Sequence, residues 1–342
     1  MLQSSGGCCP ELEKGPAVKK LGALGLLAVG GAAILGATLW YFTALPGPRH
    51  RGPLTGFTLE EETLAQRLRG HVEQLSERIG PRPADDEGAL RKTVDYLEGQ
   101  WQRLGYSVRR QKTESGELGF PNLEVEIPGT GPGLVVVSAH YDTVPGSPGA
   151  DDDSSGLAVL LELSRSLHGR SFQRSVRLVA FADEERHLVG SRVYASSLRA
   201  SSTRVDAMLS LEMLGFYCDA PGSQRYPLRG LSWLYPDRAD FVGVVGNPAS
   251  RRLLRTVVGT IRNTVVLPCE GMTAPELLRD IGRSDNRSFW QEGYPAVMVT
   301  DTSNFRNPNY HRPSDTVETL DFKRMARLAR ALPAVVERLA GP

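Results

Sequence analysis

Cysteine is scarce in this 342-residue chain: there are four, and no CxxC pair among them. A thiolate zinc site of the zinc-finger kind is therefore excluded. A chain of this length buries enough apolar surface to fold without disulfide staples. Only Cys218 and Cys269 lie in the body of the sequence. They pair if that body sits in an oxidising compartment, and otherwise are two separate small apolar residues. An excess of one charge is also missing, since 40 Lys and Arg stand against 39 Asp and Glu and leave a formal net charge of +1. With no long run of either sign, the chain offers no electrostatic footprint for nucleic acid. No internal repeat is present.

One long apolar run exists, and it is N-terminal. Leu21 to Leu45 carries no charged residue and is long enough to cross a bilayer as a helix. Trp40 and Tyr41 lie near its far end, where amphipathic rings favour the interface. Lys14, Lys19 and Lys20 before it outnumber Arg49 and Arg51 after it, which favours the N-terminus inside. A cleaved signal peptide is the rival, but its apolar core is normally shorter and no A-x-A site ends this one. Cys8 and Cys9 stand beside the run, where acyl chains attach in some anchors. The expected order is a short tail (1–20), a transmembrane signal-anchor helix (21–45), a linker (46–54) and one soluble domain (55–342). The membrane is thus an expected partner through the N-terminal helix, in a single-pass arrangement with the domain extracytoplasmic. No feature fixes the oligomeric state.

Within the domain the periodicity alternates. Thr58-Leu-Glu-Glu61 is a capping box, and Leu64, Leu68, Val72, Leu75 and Ile79 follow at helical spacing until Gly80-Pro81. A second helix spans about 87–104. Extended segments follow at 106–113, 122–127 and 134–139, the last two split by PGTGPG and read as a hairpin. LVVVSA is apolar throughout, as in a strand buried on both faces. Helices are expected at 154–167 and 187–197, and strands at 176–182, 207–211 and 241–245. Further on, a helix starts after Asn247-Pro248, a short helix spans 285–292, a strand spans 296–300 and a last helix begins at Asp321. The stretch 216–240 has little periodicity. This pattern predicts an α/β fold, a three-layer α/β/α sandwich around a mixed, mostly parallel sheet.

Polar residues collect where the apolar strands end. LVVVSA runs into His140-Tyr-Asp142, VRLVAFA into Asp183-Glu-Glu185, AMLSL into Glu212 and AVMVT into Asp301, with His311 in the next loop. In open α/β sheets, sites form outside the carboxyl ends of the strands. His, Asp and Glu without Cys suit a divalent metal, and imidazole favours zinc over magnesium. Five protein ligands exceed what one catalytic zinc takes, but they fit two if a carboxylate bridges. Each piece alone is weak. GADDDSSG, for instance, could be only an acidic turn and a helix cap.

Taken in order, SAHYDTVPGSPGADDDSSG, FADEERHLVGS, LSLEMLGF, SDNRSFWQEGYPAVMVTDT and NYHRPSDT resemble the zinc aminopeptidase family that includes bacterial leucyl aminopeptidases. Its wider relatives include glutamate carboxypeptidase, glutaminyl cyclases and the transferrin receptor ectodomain. The resemblance covers roughly Thr55 to the C-terminus. It implies that His140, Asp151 and Glu212 hold one Zn²⁺ and that Asp151, Glu185 and His311 hold a second, with Asp151 bridging and the Asp151–Asp152 peptide bond cis. It implies that Asp142 orients His140 by accepting its free N–H, and that Glu184 is the general base for hydrolysis of a peptide substrate next to a free N-terminus.

The chain departs from that family at three positions. Glu212 stands where many relatives have Asp, Asn286 where SDH is common, and Asp183 where a small residue is usual; Asp183 reads as a solvated acid. Asp285 reads either as an acid near the substrate amine or as the cap of the helix after it. Three alternatives stay open: a glutaminyl-peptide cyclotransferase-like enzyme, a carboxypeptidase clamping its substrate with Arg283, Arg287 or Arg306, and a non-catalytic binding ectodomain.

Overall fold

The structure, a computed structural model, describes residues 44–50, 52, 54, 56–113 and 119–341, together with Met1 and positions 29–31, 33, 36 and 43. Most of the segment read as a membrane helix lies outside the described residues, as do Cys8 and Cys9. Among the described residues no helix is long and apolar enough to cross a membrane. The chain divides into two units, Met1–Ala44 and Leu45–Pro342. The second unit is described below.

The first helix, α1 (Leu59–Glu73), starts at the expected capping box: Glu61 N–H donates to Thr58 Oγ1 at 3.2 Å and Thr58 N–H to Glu61 Oε2 at 2.8 Å. A wider turn over Gln74–Ile79 extends it to Gly80. Next come α2 (Glu87–Arg103), β1 (Arg109–Gln111), β2 (Asn122–Ile127), β3 (Leu134–His140), α3 (Ser154–Leu167), β4 (Ser175–Phe181), α4 (Val189–Ala200) and β5 (Val205–Glu212). The rest is β6 (Val242–Gly246), α5 (Arg251–Thr264), β7 (Cys269–Thr273), α6 (Asn286–Gln291), β8 (Ala296–Thr300) and α7 (Phe322–Ala340), which carries Pro333 inside it.

The eight strands form one mixed sheet in the order β1-β2-β4-β3-β5-β8-β6-β7. Strands β4, β3, β5 and β8 run parallel in its centre. The period-two rule sends alternate residues to opposite faces. Val135 and Val137 thus join the core beneath α1, α2, α3, α5 and α7, while Leu134 and Val136 join the smaller core with Tyr194 and Leu198 of α4 and Phe289 of α6. Helices therefore cover both faces, and the fold class is α/β.

The structure decides three points that the sequence misread or left open. First, β2 and β3 are not a hairpin, because β4 lies between them, antiparallel to β2 and parallel to β3. The connecting turn pairs instead with the approach to β4, through Thr130 N–H to Phe172 O at 3.0 Å and Gly131 N–H to Gln173 O at 2.7 Å. Second, β7 is a strand that periodicity does not announce. Third, Cys218 and Cys269 are both free thiols. The segment read as a linker also lies on the domain: a Cβ placed on Gly259 of α5 would meet Pro46 Cγ at 2.7 Å.

One side chain ties the entry to the active face together. Arg82 is fully buried. It donates to Tyr141 O (2.8 Å), Leu75 O (3.0 Å), Gly80 O (3.1 Å), Pro148 O (3.1 Å), Gly149 O (3.3 Å) and Ser154 Oγ (2.9 Å). It thereby joins the end of α1, the end of β3 and the start of α3. Buried acceptors that lose a donor cost about 1–3 kcal/mol each. Arg82→Ala should therefore lower stability by at least about 3 kcal/mol in denaturant unfolding. A loss below about 1 kcal/mol, the usual range of a surface change, would contradict this role.

Candidate metal centre and active site

The carboxyl ends of β3, β4 and β5 deliver His140, Glu184 and Glu185, and Glu212 to one place. Asp152 enters between them from the loop before α3. Its Oδ1 lies 3.2 Å from His140 Nε2 and its Oδ2 lies 3.1 Å from His311 Nε2. Glu212 Oε2 is 3.6 Å from His140 Nε2, and Glu185 Oε1 is 3.2 Å from His311 Nε2. Two groups of possible ligands result, His140–Asp152–Glu212 and Asp152–Glu185–His311, with Asp152 in both.

The expected bridge, Asp151, is displaced from this place by one residue. Its Oδ1 accepts from Gly215 N–H at 2.8 Å and its Oδ2 from Asn307 Nδ2 at 2.7 Å, so both oxygens face away from the histidines. The cis bond is likewise Asp152–Asp153, not Asp151–Asp152. The surrounding contacts explain the register. Asp153 caps α3 by accepting from Gly156 N–H (3.1 Å), and it also accepts from Met213 N–H (3.1 Å) and His140 N–H (3.2 Å). Asp315 accepts from the amides of Asp151 (2.9 Å) and Asp152 (3.2 Å). Gly149 makes the turn possible, since at φ +64° a Cβ there would strike Asp152 O at 2.4 Å. With Asp151 and Asp153 both held by the scaffold, only Asp152 faces the histidines.

Asp142 takes part differently from the expectation. His140 Nδ1 lies closer to the Asp142 backbone oxygen (3.1 Å) than to its carboxylate (3.5 Å). The carboxylate accepts instead from Glu184 N–H and Glu185 N–H, each at 3.0 Å, and so fixes the turn that aims both glutamates. Glu212, the longer side chain at its position, accepts from Ser284 Oγ at 2.7 Å. Asp183 is 4% exposed, so it is not a solvated acid.

Asp285 is fully buried, does not cap α6 and does not line the cavity over the centre. It therefore sits beneath the site rather than at its surface. Burial pushes its carboxyl up to about 7. Arg306 is buried too, stacked 4.5 Å from the Phe241 ring and donating to Phe241 O at 2.8 Å, so it offers no clamp. Arg283 and Arg287 do line the cavity. Tyr310, which the sequence places near the site without giving it more than a packing or hydrogen-bonding role, stacks on His311 at 3.8 Å and accepts from Arg283 Nη2 at 3.0 Å. Its place directly before the histidine was the available signal.

The electrostatics call for a cation. Burial pushes Glu185 up to about 7, and it raises Glu184 well above the carboxylate range, with Glu212 and Glu185 adding repulsion. Burial opposes charge on His311 as well, yet Asp152 and Glu185 lift it to about 10. Without a metal the cluster therefore retains protons, which metal binding would release. His140 Nε2 and Glu185 Oε1 are buried and make no well-formed hydrogen bond, and each points into one of the two groups. The donor set of imidazole and carboxylate suits zinc.

The family model of peptidase family M28 matches residues 122–336, a span that contains every residue named in the two groups. The chain belongs to this family and is a metallo-exopeptidase. Among curated relatives it is 36% identical to the protein YfbL of Escherichia coli (strain K12), over 84% of this chain and 89% of that one. It is 27% identical to a probable leucine aminopeptidase of Trichophyton verrucosum, over 61% of this chain but only 54% of that protein. The Legionella pneumophila LapA aminopeptidase structure shares the fold, with a TM-score of 0.68, 23% identity and coverage of 85% of this chain and 78% of the other.

The two adjacent aspartates give a direct test of the bridge. Asp152→Asn should lose most bound zinc, with affinity falling by more than the ~10–100-fold typical of an outer hydrogen-bonding partner. Asp151→Asn should retain zinc. Metal analysis after dialysis reads both, and the reverse pattern would restore Asp151 as the bridge.

Proposed function

We propose that this protein is a zinc aminopeptidase that removes N-terminal residues from peptides with two Zn²⁺ ions per chain. The observation that carries the reading is Asp152, whose two oxygens each face a different histidine at 3.1–3.2 Å. His140 and Glu212 would complete one site, Glu185 and His311 the other. Bound there, zinc lowers the pKa of a water molecule and polarises the scissile carbonyl.

The chain's own residues supply the rest. Glu184 belongs to neither ligand group, is 7% exposed and lines the cavity. It accepts the proton of the attacking water and passes it to the leaving amine. Asp142 holds its backbone in place. Asp152, Glu184, Glu185 and Glu212 make this end of the cavity acidic, which suits a substrate α-amine and so favours cleavage at a free N-terminus. The Leu21–Leu45 run would anchor the protein in a membrane with the domain outside the cytoplasm, a reading supported by its length, its lack of charge and the lysines before it.

One observation favours a second reading: Arg283 and Arg287 line the cavity and could receive a substrate carboxylate. Comparing N-blocked with C-blocked peptides separates the two. An aminopeptidase cleaves only the C-blocked peptide, a carboxypeptidase only the N-blocked one. Formation of pyroglutamate from a glutaminyl peptide would point to a cyclase. For the mechanism, Glu184→Gln should retain its zinc and lose about 10²–10⁴-fold in kcat. Turnover near that of the wild type would remove Glu184 as the base.

A further inference from the structure

The cavity over the metal centre has a volume of about 690 Å³ and extends well past the ligands. Strand register shows where it goes. Glu212 pairs with Thr300, Thr300 with Gly243, and Gly243 with Glu270. These four residues form one row across β5, β8, β6 and β7, and all four line the cavity. At a strand spacing of about 4.8 Å, Glu270 stands about 14 Å from Glu212. Beside this row runs an apolar one, Met298, Val245 and Met272. Gly243 keeps the row open, since a Cβ there would lie 3.3 Å from Thr300 O and 3.2 Å from Thr302 Cγ2. The cavity thus runs from the metal centre at one end, over the apolar floor of Met298, Val245 and Met272, to a carboxylate at the other, with Arg192, Arg225, Arg283 and Arg287 also in its lining.

That carboxylate is compensated from behind. Glu270 Oε2 is 3.0 Å from Arg262 Nη2 and 3.2 Å from Arg49 Nη2. Arg262 is buried in α5 and also donates to Cys269 O, from Nε at 2.8 Å and Nη2 at 2.6 Å. Arg49 comes from the strap that precedes the domain. The strap is seated closely: a Cβ on Gly271 would meet Leu45 Cδ1 at 2.9 Å, and Gly271 itself lines the cavity. Arg262 Nη1 reaches Leu45 O and Pro46 O at 3.5 Å each. A segment that precedes the residues matched by the family model therefore packs behind the cavity-lining strand β7.

We propose that Arg49 is a specificity-determining residue, held by the Leu45–Pro46 strap and acting through Glu270, so that the far end of the channel favours uncharged over cationic N-terminal residues. The charges give the sign. Glu270 with Arg49 and Arg262 carries a net positive charge, which repels a lysine or arginine side chain lying along the channel. Neutralising Arg49 brings the cluster to zero and admits a cation. Neutralising Glu270 leaves two positive charges and excludes a cation further. A purely structural role would shift all substrates alike. The inference rests on the aminopeptidase reading of the site.

The test uses the full-length, zinc-loaded protein and the ratio of kcat/KM for lysyl to leucyl p-nitroanilide. Arg49→Gln should raise this ratio by about three- to tenfold. Glu270→Gln should lower it by a similar factor, and Arg49→Lys should keep it near the wild-type value. Zinc content and Tm, measured on each variant, separate misfolding from selectivity. If Arg49→Gln does not fold, the Glu270→Gln ratio alone decides. An Arg49→Gln ratio within twofold of wild type, or both neutralising variants shifting the ratio in the same direction, would overturn the proposal. If the wild type cleaves neither substrate, the aminopeptidase reading fails. The ratio is then taken from the dissociation constants of lysinamide and leucinamide by calorimetry, with the same expected signs, and binding of neither amide would overturn the proposal as well.

Discussion

Carboxylates crowd around two imidazoles at the strand ends. Asp142, Asp152, Glu184, Glu212 and Asp285 are all at least nine-tenths buried around His140, and Glu185 lies with the half-exposed His311. Buried charges of one sign repel strongly in a low dielectric. Such a set persists only if protons or cations compensate it. Every contact that aims these groups acts against that repulsion, and much of the loop architecture on this face consists of such contacts.

The hydrogen bonds to backbone do most of the aiming. Asp142 grips the amides of Glu184 and Glu185, Asp153 grips those of His140 and Met213, and Asp315 grips those of Asp151 and Asp152. Arg82 brings one buried positive charge behind them and donates to five main-chain oxygens and to Ser154 Oγ. Acids that hold backbone thus surround acids that face the centre. The division of labour within the triplet Asp151–Asp153 shows how closely the two kinds are interleaved.

That interleaving marks the limit of what could be read from the chain. The strand-end pattern was legible because apolar runs end abruptly in His140, Glu185 and Glu212, and the structure brings these together with His311. In the run of three aspartates, by contrast, composition is uniform, and only tertiary contacts to Gly215, Asn307 and Met213 decide which side chain turns inward. Helices with caps and long apolar stripes were legible for the same local reason. The placement of β4 between β2 and β3 was not, because PGTGPG marks a turn without saying what pairs across it. Strand β7 escaped because Glu270 and Gly271 interrupt its apolar pattern: Glu270 faces the cavity, while Gly271 turns its missing side chain toward Leu45 and Leu254 on the other face. Asp183 and the residues Pro46–Arg49 look polar or linker-like in sequence, and only packing shows that one is buried and the others seated on the domain.

The geometry also separates two tasks on one sheet. Strands β3, β4 and β5 present the candidate ligands His140, Glu185 and Glu212 at or just past their ends, whereas β8, β6 and β7 extend the floor of the cavity sideways. The central claim is that Asp152 stands between two zinc ions. Anomalous diffraction at the zinc absorption edge from crystals of the zinc-loaded protein tests it most directly. The account predicts two peaks, one among His140, Asp152 and Glu212 and the other among Asp152, Glu185 and His311. A single peak, or a pair bridged by Asp151, would contradict it.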